Sequence, residues 1–266
     1  MLDLIELVKP EAQRIKYVFF DTGLEWDATH AQIVRVQKRY KIDIEPRKAR
    51  EPIPIVCKRF GVPFLDKTIS AKLRILQNQG FDFNEAGHGL EHLKIYEWWT
   101  ERKTGQFALK PDVKAFLINN PPSFGISDQC CDYAKKYPAQ DFYKEYKPDL
   151  DIQGVRKKEG GPRASAYKNC FTKDEAFDRY RPLFFWTDKD KQLYKKWRKI
   201  RYSDCYEKWG FQRTGCVGCP CSIKAVKDLE SAKAYEPNKV KAAYAIFGAS
   251  YEYRAQYERF RARFKR

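Results

Sequence analysis

The chain has 266 residues, of which 43% are hydrophobic and 15% aromatic, and it carries a formal net charge of +17. A chain of this length buries roughly three quarters of the surface that it exposes when unfolded, so its core needs no disulfide bonds. No apolar run reaches the ~20 residues of a membrane span, and the N-terminal stretch, which contains Asp3 and Glu6, lacks the basic leader of a signal peptide. We therefore expect a cytoplasmic globular protein with reduced thiols and no membrane partner.

The first predicted elements alternate between strands and helices. "YVFFD" (Tyr17–Asp21) is a short apolar run typical of a buried strand, and "DATHAQIVRVQKRY" is typical of a helix. "IDIEP" predicts a second strand. "PIPIVCKRFG" and "TISAKLRILQNQG" predict helices, the second with Thr68 or Ser70 as its N-cap.

The alternation resumes in the second half of the chain. "LDIQGVR" and "YRPLFFW" predict strands, and a lysine-rich helix, "TDKDKQLYKKWRKI", follows. "KAVKDLESAKAY" and a long basic stretch from about Lys239 to Phe264 predict two more helices. We expect an α/β fold with a Rossmann-like parallel sheet flanked by helices over residues 1–186, with an irregular insertion at about 81–128. A basic helical part over 187–266 would follow.

The positive charge is concentrated in the second half of the sequence. Residues 1–133 hold 20 Lys and Arg against 18 Asp and Glu, whereas residues 134–266 hold 32 against 17. Such a field attracts polyanions or phosphorylated small molecules. DNA or RNA is therefore a predicted partner of the basic half, although lysine-rich helices are also common as plain solvated surfaces.

Eight cysteines suggest a metal site. Cys216 and Cys219 form a Cys-x-x-Cys pair, Gly215 and Gly218 leave the backbone free for a tight turn, and two thiolates at this spacing can bind one ion. The doublet Cys130-Cys131 is the obvious source of the remaining ligands, with Cys205 as the alternate. Zinc or an iron–sulfur cluster fits four thiolates, whereas a redox dithiol or inert core thiols are the other interpretations. A pair formed by His88 and His92 is a weaker metal candidate.

Four segments taken together resemble one family. "YVFFDTG", "SDQCCDYAKKYP", "GVRKKEGGPRASAY" and "YEKWGFQRTGCVGCP" occur in the order found in the phosphoadenosine-phosphosulfate (PAPS) reductase family, within the N-type ATP pyrophosphatases of adenine nucleotide α-hydrolase-like fold. The nearest variety is that of phage and mobile elements, related to the DNA-phosphorothioation sulfur-transfer proteins. The resemblance covers roughly residues 2–253.

The resemblance implies roles for particular residues. Asp21, Thr22 and Gly23 resemble the turn that holds the adenosine part of ATP or a PAPS-like nucleotide, with Mg²⁺ as a possible companion ion. Gly154, Arg156, Glu159 and Arg163 resemble the loop that faces the phosphate or sulfate end, where arginine forks bind oxyanions. Cys130, Cys131, Cys216 and Cys219 match the set that holds a [4Fe–4S] cluster, with zinc as the alternative metal.

Two departures from the family pattern affect the expected activity. The sequence contains no SGGKDS-type phosphate loop, and "LDLIELV" resembles the back half of the helix that should follow such a loop, so we expect the family's first strand to be missing. No cysteine follows Cys221, so reduction through a C-terminal thiol is not expected. The implied function is nucleotide binding with adenylylation or sulfur transfer. The alternative is a basic, metal-stapled module that binds nucleic acid, or a non-catalytic subunit.

Overall fold

The computed structural model describes residues 1–10, 15–83, 92, 94–100, 108–159 and 167–264. The helices in these ranges are α1 (Leu2–Val8), α2 (Asp27–Tyr40), α3 (Ile53–Phe60), α4 (Lys67–Asn78), α5 (Lys94–Trp99), α6 (Pro111–Asn119), α7 (Gln129–Cys131), α8 (Tyr137–Tyr146), α9 (Asp188–Trp197), α10 (Asp204–Glu207), α11 (Ala225–Ala232) and α12 (Pro237–Phe264). The strands are β1 (Tyr17–Asp21), β2 (Ile44–Lys48), β3 (Leu150–Ile152), β4 (Phe171–Thr172) and β5 (Asp178–Tyr180).

The described strands form two small sheets. β1 pairs with β2, and the other sheet has the order β3-β5-β4. β3 runs parallel to β5, with Leu150 opposite Asp178, whereas β4 is antiparallel to β5. Parallel strands joined through long connections and accompanied by helices confirm the predicted α/β class.

The strand predicted over "YRPLFFW" is wrong beyond its first residue. β5 ends at Tyr180, and the chain then turns, with the N–H of Phe184 bonded to the carbonyl of Arg181 at 3.0 Å. Pro182 cannot donate to a strand ladder. The Arg181 side chain is fully buried, where it lies over the Tyr167 ring at 3.8 Å and donates to Thr172 at 3.0 Å.

Most predicted helices are confirmed, but the N-cap residue of α4 differs from the prediction. α4 is capped by Asp66, whose carboxylate accepts from the Ile69 N–H at 2.9 Å, and not by Thr68 or Ser70. The reason is that Asp66 precedes the first helical residue, where a side-chain oxygen reaches the free N–H groups of the first turn. α9 begins with a full capping box between Thr187 and Asp190.

The chain divides into two compact units. The first unit contains residues 1–19, 28–46 and 139–208, and the second contains residues 20–27, 47–138 and 209–266. Each unit contains residues from both sides of position 186. The domain boundary expected at residue 186 stays a prediction. No helix of the described residues is both long and apolar enough to cross a membrane.

The core of the second unit is rich in aromatic side chains. Helices α4, α5, α6 and α12 supply most of it, so part of the segment expected as an insertion over 81–128 packs into this core. Its residues include Phe64, Leu73, Leu76, Phe81, Phe83, Trp98, Trp99, Val113, Phe116, Leu117, Ile126, Tyr253 and Tyr257. This packing fixes α12, which borders the candidate site described below.

A close backbone approach in the second unit yields a stability prediction. Gly61 ends α3 with φ +98°, and a Cβ at this position would overlap the carbonyl of Gly125 and lie 2.8 Å from its Cα. We expect Gly61→Ala to lower the free energy of unfolding by about 3 kcal/mol or more, because backbone strain and steric overlap both raise the free energy of the native state.

Gly248→Ala is the matched control for this prediction. Gly248 lies within α12 and has no heavy atom within 4 Å of an added Cβ. Alanine there should raise stability by about 1 kcal/mol, since glycine is the poorer helix former. Chemical denaturation of both variants measures the difference, and equal effects of the two substitutions would contradict the predicted overlap.

Candidate functional site

A cleft in the second unit is lined by five cysteine side chains. They are Cys130, Cys131, Cys216, Cys219 and Cys221, and all of them are free thiols. The rest of the lining consists of Ile53, Pro63, Lys67, Asp128 and Phe247. The four thiols that the family resemblance assigns to one metal site therefore line one cleft. Along the chain, 84 residues separate the Cys130-Cys131 doublet from the Cys-x-x-Cys pair.

The cysteine doublet is held by a short helix that widens into a π-helical turn. Cys130 and Cys131 end α7, and residues 132–136 continue as the π-helical turn before α8. The Cys131 N–H bonds to the carbonyl of Asp128 at 3.0 Å. π-helical turns displace side chains from the regular helical positions and occur often at functional sites.

The Cys-x-x-Cys loop is fixed by contacts on both sides. Val217, at its centre, is fully buried, and its N–H bonds to the carbonyl of Leu24 at 2.7 Å. Gly218 adopts φ +64°, and its carbonyl accepts from the Tyr251 hydroxyl of α12. The Cys219 N–H returns to the Cys216 carbonyl at 3.1 Å, which closes the tight turn that aims both sulfurs into the cleft.

Two of these thiols have opposite pKa shifts. Hydrogen bonds from the Cys221 side chain and backbone lower the pKa of Cys219 to about 6, even though burial works against this shift, and nearby Lys67 and Lys135 act in the same direction as the hydrogen bonds. Burial raises the pKa of Cys216 to about 11. A thiolate is the form that binds metals and attacks electrophiles, so Cys219 is the thiol best prepared for either task at neutral pH.

Two lysines place positive charge beside the sulfurs. The Lys67 Nζ donates to the Cys131 Sγ at 2.8 Å, and the Lys135 Nζ lies 3.8 Å from the buried Glu25 carboxylate. Burial lowers the pKa of both lysines, but hydrogen-bonding or charge interactions with neighbouring thiols outweigh it, and each pKa is raised. The cleft therefore favours negative charge, either on thiolates or on an anionic ligand.

The strand-end turn after β1 contacts this cleft. The Asp21 carboxylate accepts from the Gly23 N–H at 2.9 Å, which closes the turn, and Gly23 has φ +73°. Thr22 is buried and donates to Glu25 at 2.9 Å, and the Cys216 Sγ lies 3.6 Å from its hydroxyl oxygen. The turn that resembles a nucleoside site thus lies directly against the thiol cleft within one unit.

The donor atoms of the cleft are mainly sulfur. Thiolates are ligands that both zinc and iron–sulfur clusters accept, so the chemistry of the five free thiols fits either group. Among the described residues, no three His, Cys, Asp or Glu side chains are arranged closely enough to hold one metal ion.

The loop expected to bind the oxyanion belongs to the first unit, and its Arg156 side chain forms a salt bridge. The Arg156 Nη1 lies 2.9 Å from the Asp188 carboxylate, and the Arg156 N–H faces the Glu159 carboxylate at 3.4 Å. Gly154 is exposed, and a Cβ there would lie 3.3 Å from the Met1 sulfur. Arg163 lies outside the described residues.

The remaining candidates for metal binding do not line the cleft. Cys205, the alternate ligand, is buried in α10 of the first unit. Cys57 is buried in α3, as expected for a core thiol, and its hydrogen bond with Cys130 is the largest cause of the raised pKa of Cys130. His88 lies outside the described residues, and His92 is exposed.

Three tyrosines of the C-terminal helix face the core. Tyr251, Tyr253 and Tyr257 are 7%, 6% and 4% exposed, so these rings belong to the core. Arg254 donates to the carbonyls of Pro220 and Ser222 at 3.0 Å and thereby supports the cysteine segment. Tyrosines spaced along one face of a helix are buried wherever that face meets a core.

Sequence reasoning missed Lys67, Lys135 and Glu25 as parts of the site. Lys135 could have been found, because it follows Cys131 by four residues and side chains at this helical spacing meet. Lys67 gave no such signal, since 64 residues separate it from the thiol that it contacts. The sequence assigns no role to Cys221, whereas the structure places its side chain in the lining of the cleft together with Cys219.

The chain is similar in sequence to several known proteins. Residues 91–222 match the model of the phosphoadenosine phosphosulfate reductase domain. An uncharacterized protein of Methanocaldococcus jannaschii is 25% identical over 225 residues, which are 83% of this chain and 34% of that protein. Adenosine 5'-phosphosulfate reductase 1 of Bacillus subtilis is 24% identical over 235 residues, which are 88% of this chain and 73% of that protein.

A solved structure is also similar at a low level. It is the phosphoadenylyl-sulfate reductase of Candida auris in a phosphate complex, with 16% identity, a TM-score of 0.45, and coverage of 81% of this chain and 73% of that chain. The chain spans about a third of the length of the Methanocaldococcus relative.

The described fold and cleft define an α/β protein with a cysteine-lined cleft beside a strand-end turn. Residues 91–222 of the chain match the phosphoadenosine phosphosulfate reductase domain, and this matched segment contains all five cysteines of the cleft.

Proposed function

We propose that this chain binds an adenine nucleotide such as ATP or a PAPS-like compound and supports adenylylation or sulfur transfer, with a [4Fe–4S] cluster held by Cys130, Cys131, Cys216 and Cys219. The observation that carries the proposal is the meeting of these thiols in one cleft against the strand-end turn at Thr22. The relatives named as adenosine 5'-phosphosulfate reductases support a sulfur-related reaction on a nucleotide.

The protein residues have separate roles in this proposal. The turn from Asp21 to Gly23 holds the nucleoside, because its backbone groups lie at a strand end. In the first unit, Arg156 and Arg163 bind an oxyanion, and Glu159 accepts a hydrogen bond from the Arg156 N–H within their loop. A bound cluster would supply iron centres that accept or donate an electron. The positive charges of Lys67 and Lys135 lower the pKa of the Cys219 thiol.

The iron content of the purified protein tests the metal part of the proposal. Anaerobically purified protein should be brown and contain about four irons per chain. Cys130→Ser and Cys219→Ser should each lose most of this iron, since each removes a thiolate from the cleft. Cys170→Ser, which changes a half-buried thiol outside the cleft, should keep the full complement. Circular dichroism shows that the variants remain folded.

Other results of this experiment would overturn the cluster. Zinc at about one ion per chain would assign the thiols to a structural site. Iron that survives both cleft substitutions would place the ligands elsewhere. Product analysis then tests for adenylylation, in which ATP releases pyrophosphate as its adenylyl group passes to an acceptor; a reaction that leaves ATP intact is not an adenylylation.

A further inference from the structure

An exposed aromatic and basic surface covers α9 and the residues just before it. Phe185 is 65% exposed, Leu193 58% and Trp197 67%. Leu193 and Trp197 are four residues apart and therefore share one helix face, with Lys189 and Lys196 beside them. Three large apolar side chains with this exposure lie within a stretch of 13 residues, 185–197. Such a cluster indicates a binding surface, because isolated exposed apolar residues are common but clustered ones are not.

The charge of this surface is strongly one-sided. Residues 185–201 contain seven Lys and Arg against two Asp. The two carboxylates are already engaged: Asp188 pairs with Arg156, and Asp190 accepts from the backbone N–H of the N-cap Thr187 at 2.8 Å. Among the described residues, four lysines of the stretch take part in no salt bridge; they are Lys189, Lys191, Lys196 and Lys199. The surface is thus complementary to a polyanion.

The tryptophan is supported as a flat platform. Tyr194 meets the Trp197 ring edge to face with centroids 5.6 Å apart, and the Arg198 guanidinium lies 5.3 Å from the Trp197 ring centroid. Arg198 is itself anchored by the Asp3 carboxylate at 2.9 Å. The ring is therefore held by the protein while two thirds of its surface stays accessible, which is the condition for stacking a ligand ring on it.

We propose that this surface, defined by Phe185, Lys189, Leu193, Lys196 and Trp197, binds single-stranded nucleic acid. Unpaired bases stack on aromatic rings, and neighbouring lysines neutralise the phosphates between them. A duplex keeps its bases stacked and paired, so it offers this platform no ring. A second copy of the chain would bring the same lysines together, which like-charge repulsion opposes.

The proposal is independent of the cluster and of the adenine nucleotide. It assigns the nucleic-acid contact to α9 of the first unit, whereas three tyrosines of α12 are buried in the core. Its failure would leave the thiol cleft and the iron experiment untouched.

Binding of a fluorescent 20-nucleotide oligo(dT) to the full chain, followed by anisotropy at several salt concentrations, tests this surface. Trp197→Ala should weaken binding by about 5- to 100-fold, the range for loss of one base stack. The double variant Lys189→Gln, Lys196→Gln should reduce the slope of log K against log salt by about 1.4, because two phosphate contacts are lost.

Matched controls separate this surface from general charge effects. Tyr244→Ala removes a 40% exposed aromatic ring on α12, and Lys227→Gln with Lys241→Gln removes the same net charge from the second unit. Both controls should leave affinity within about twofold. Trp197 is mostly exposed, so its loss should not impair folding.

Three outcomes would overturn the proposal. The first is a control that weakens binding as much as Trp197→Ala does. The second is a concentration-dependent dimer that depends on Trp197, which would assign the surface to a second copy. The third is binding to vesicles with anionic lipids in the absence of any affinity for the oligonucleotide.

Discussion

Gly218→Ala should unfold the Cys-x-x-Cys loop and abolish metal retention. Gly218 has φ +64°, a conformation that alanine adopts only with strain. An added Cβ would also overlap the Tyr251 hydroxyl, lie 2.8 Å from the Ala243 Cβ and lie 3.1 Å from the Leu229 Cδ1. Since two of these neighbours belong to the rigid helix α12, we expect a loss of about 4 kcal/mol in the free energy of unfolding.

Gly215→Ala provides the matched control three residues away. An added Cβ at Gly215 has no heavy atom within 4 Å, and this glycine does not have a positive φ. The control should keep wild-type stability within about 0.5 kcal/mol and keep its iron. Urea unfolding and metal analysis of both proteins measure the difference. A Gly218 variant with normal iron and stability would show that the loop does not depend on this close approach.

Asp3→Asn should destabilise the first unit by about 3 kcal/mol, because the side chain is a buried carboxylate on which several donors converge. It is 4% exposed and accepts from Tyr40 at 2.8 Å, Tyr194 at 2.7 Å and Arg198 at 2.9 Å. An amide at this position lacks the negative charge that holds Arg198. Its NH₂ group would also face hydrogen-bond donors instead of acceptors. Asp43→Asn, at an exposed position, should change stability by less than about 0.5 kcal/mol.

The same group predicts how stability depends on pH. Burial raises the pKa of Asp3, but hydrogen bonds from Arg198, Tyr194 and Tyr40 outweigh burial and hold this pKa below the ordinary aspartate value of 3.8. A lowered folded-state pKa contributes stability above pH 3.8, and the contribution disappears as the pH falls through the folded-state pKa. In urea titrations from pH 6 to pH 2, the wild type should lose its advantage over Asp3→Asn. An unchanged difference at pH 2 would contradict this.

Local patterns predicted much of this protein. The helix at 27–40 was predicted with its observed bounds, because its periodicity and its polar N-terminus depend only on neighbouring residues. The Cys-x-x-Cys turn with its glycine is likewise local. In contrast, "YRPLFFW" has a strand-like composition, and the burial of Arg181 with its contact to Thr172 outweighs that preference.

Exposure could not be predicted from these patterns. The tyrosines of α12 and the tryptophan of α9 have similar basic neighbours in the sequence. Tyr253 and Tyr257 are buried because α12 packs on the core of the second unit, whereas Trp197 remains exposed on α9. Which face of a helix meets a core depends on residues far away in the chain, so a short sequence window does not contain that information.

The α/β class, most helices, the family resemblance and the identity of the thiols follow from residue types and short spacings along the chain. The folded protein alone reveals that the doublet at 130–131 and the pair at 216 and 219 share a cleft beside Thr22, and that Lys67 reaches Cys131. These contacts join segments separated by 64 to 194 residues, and they arise from the packing of the second unit.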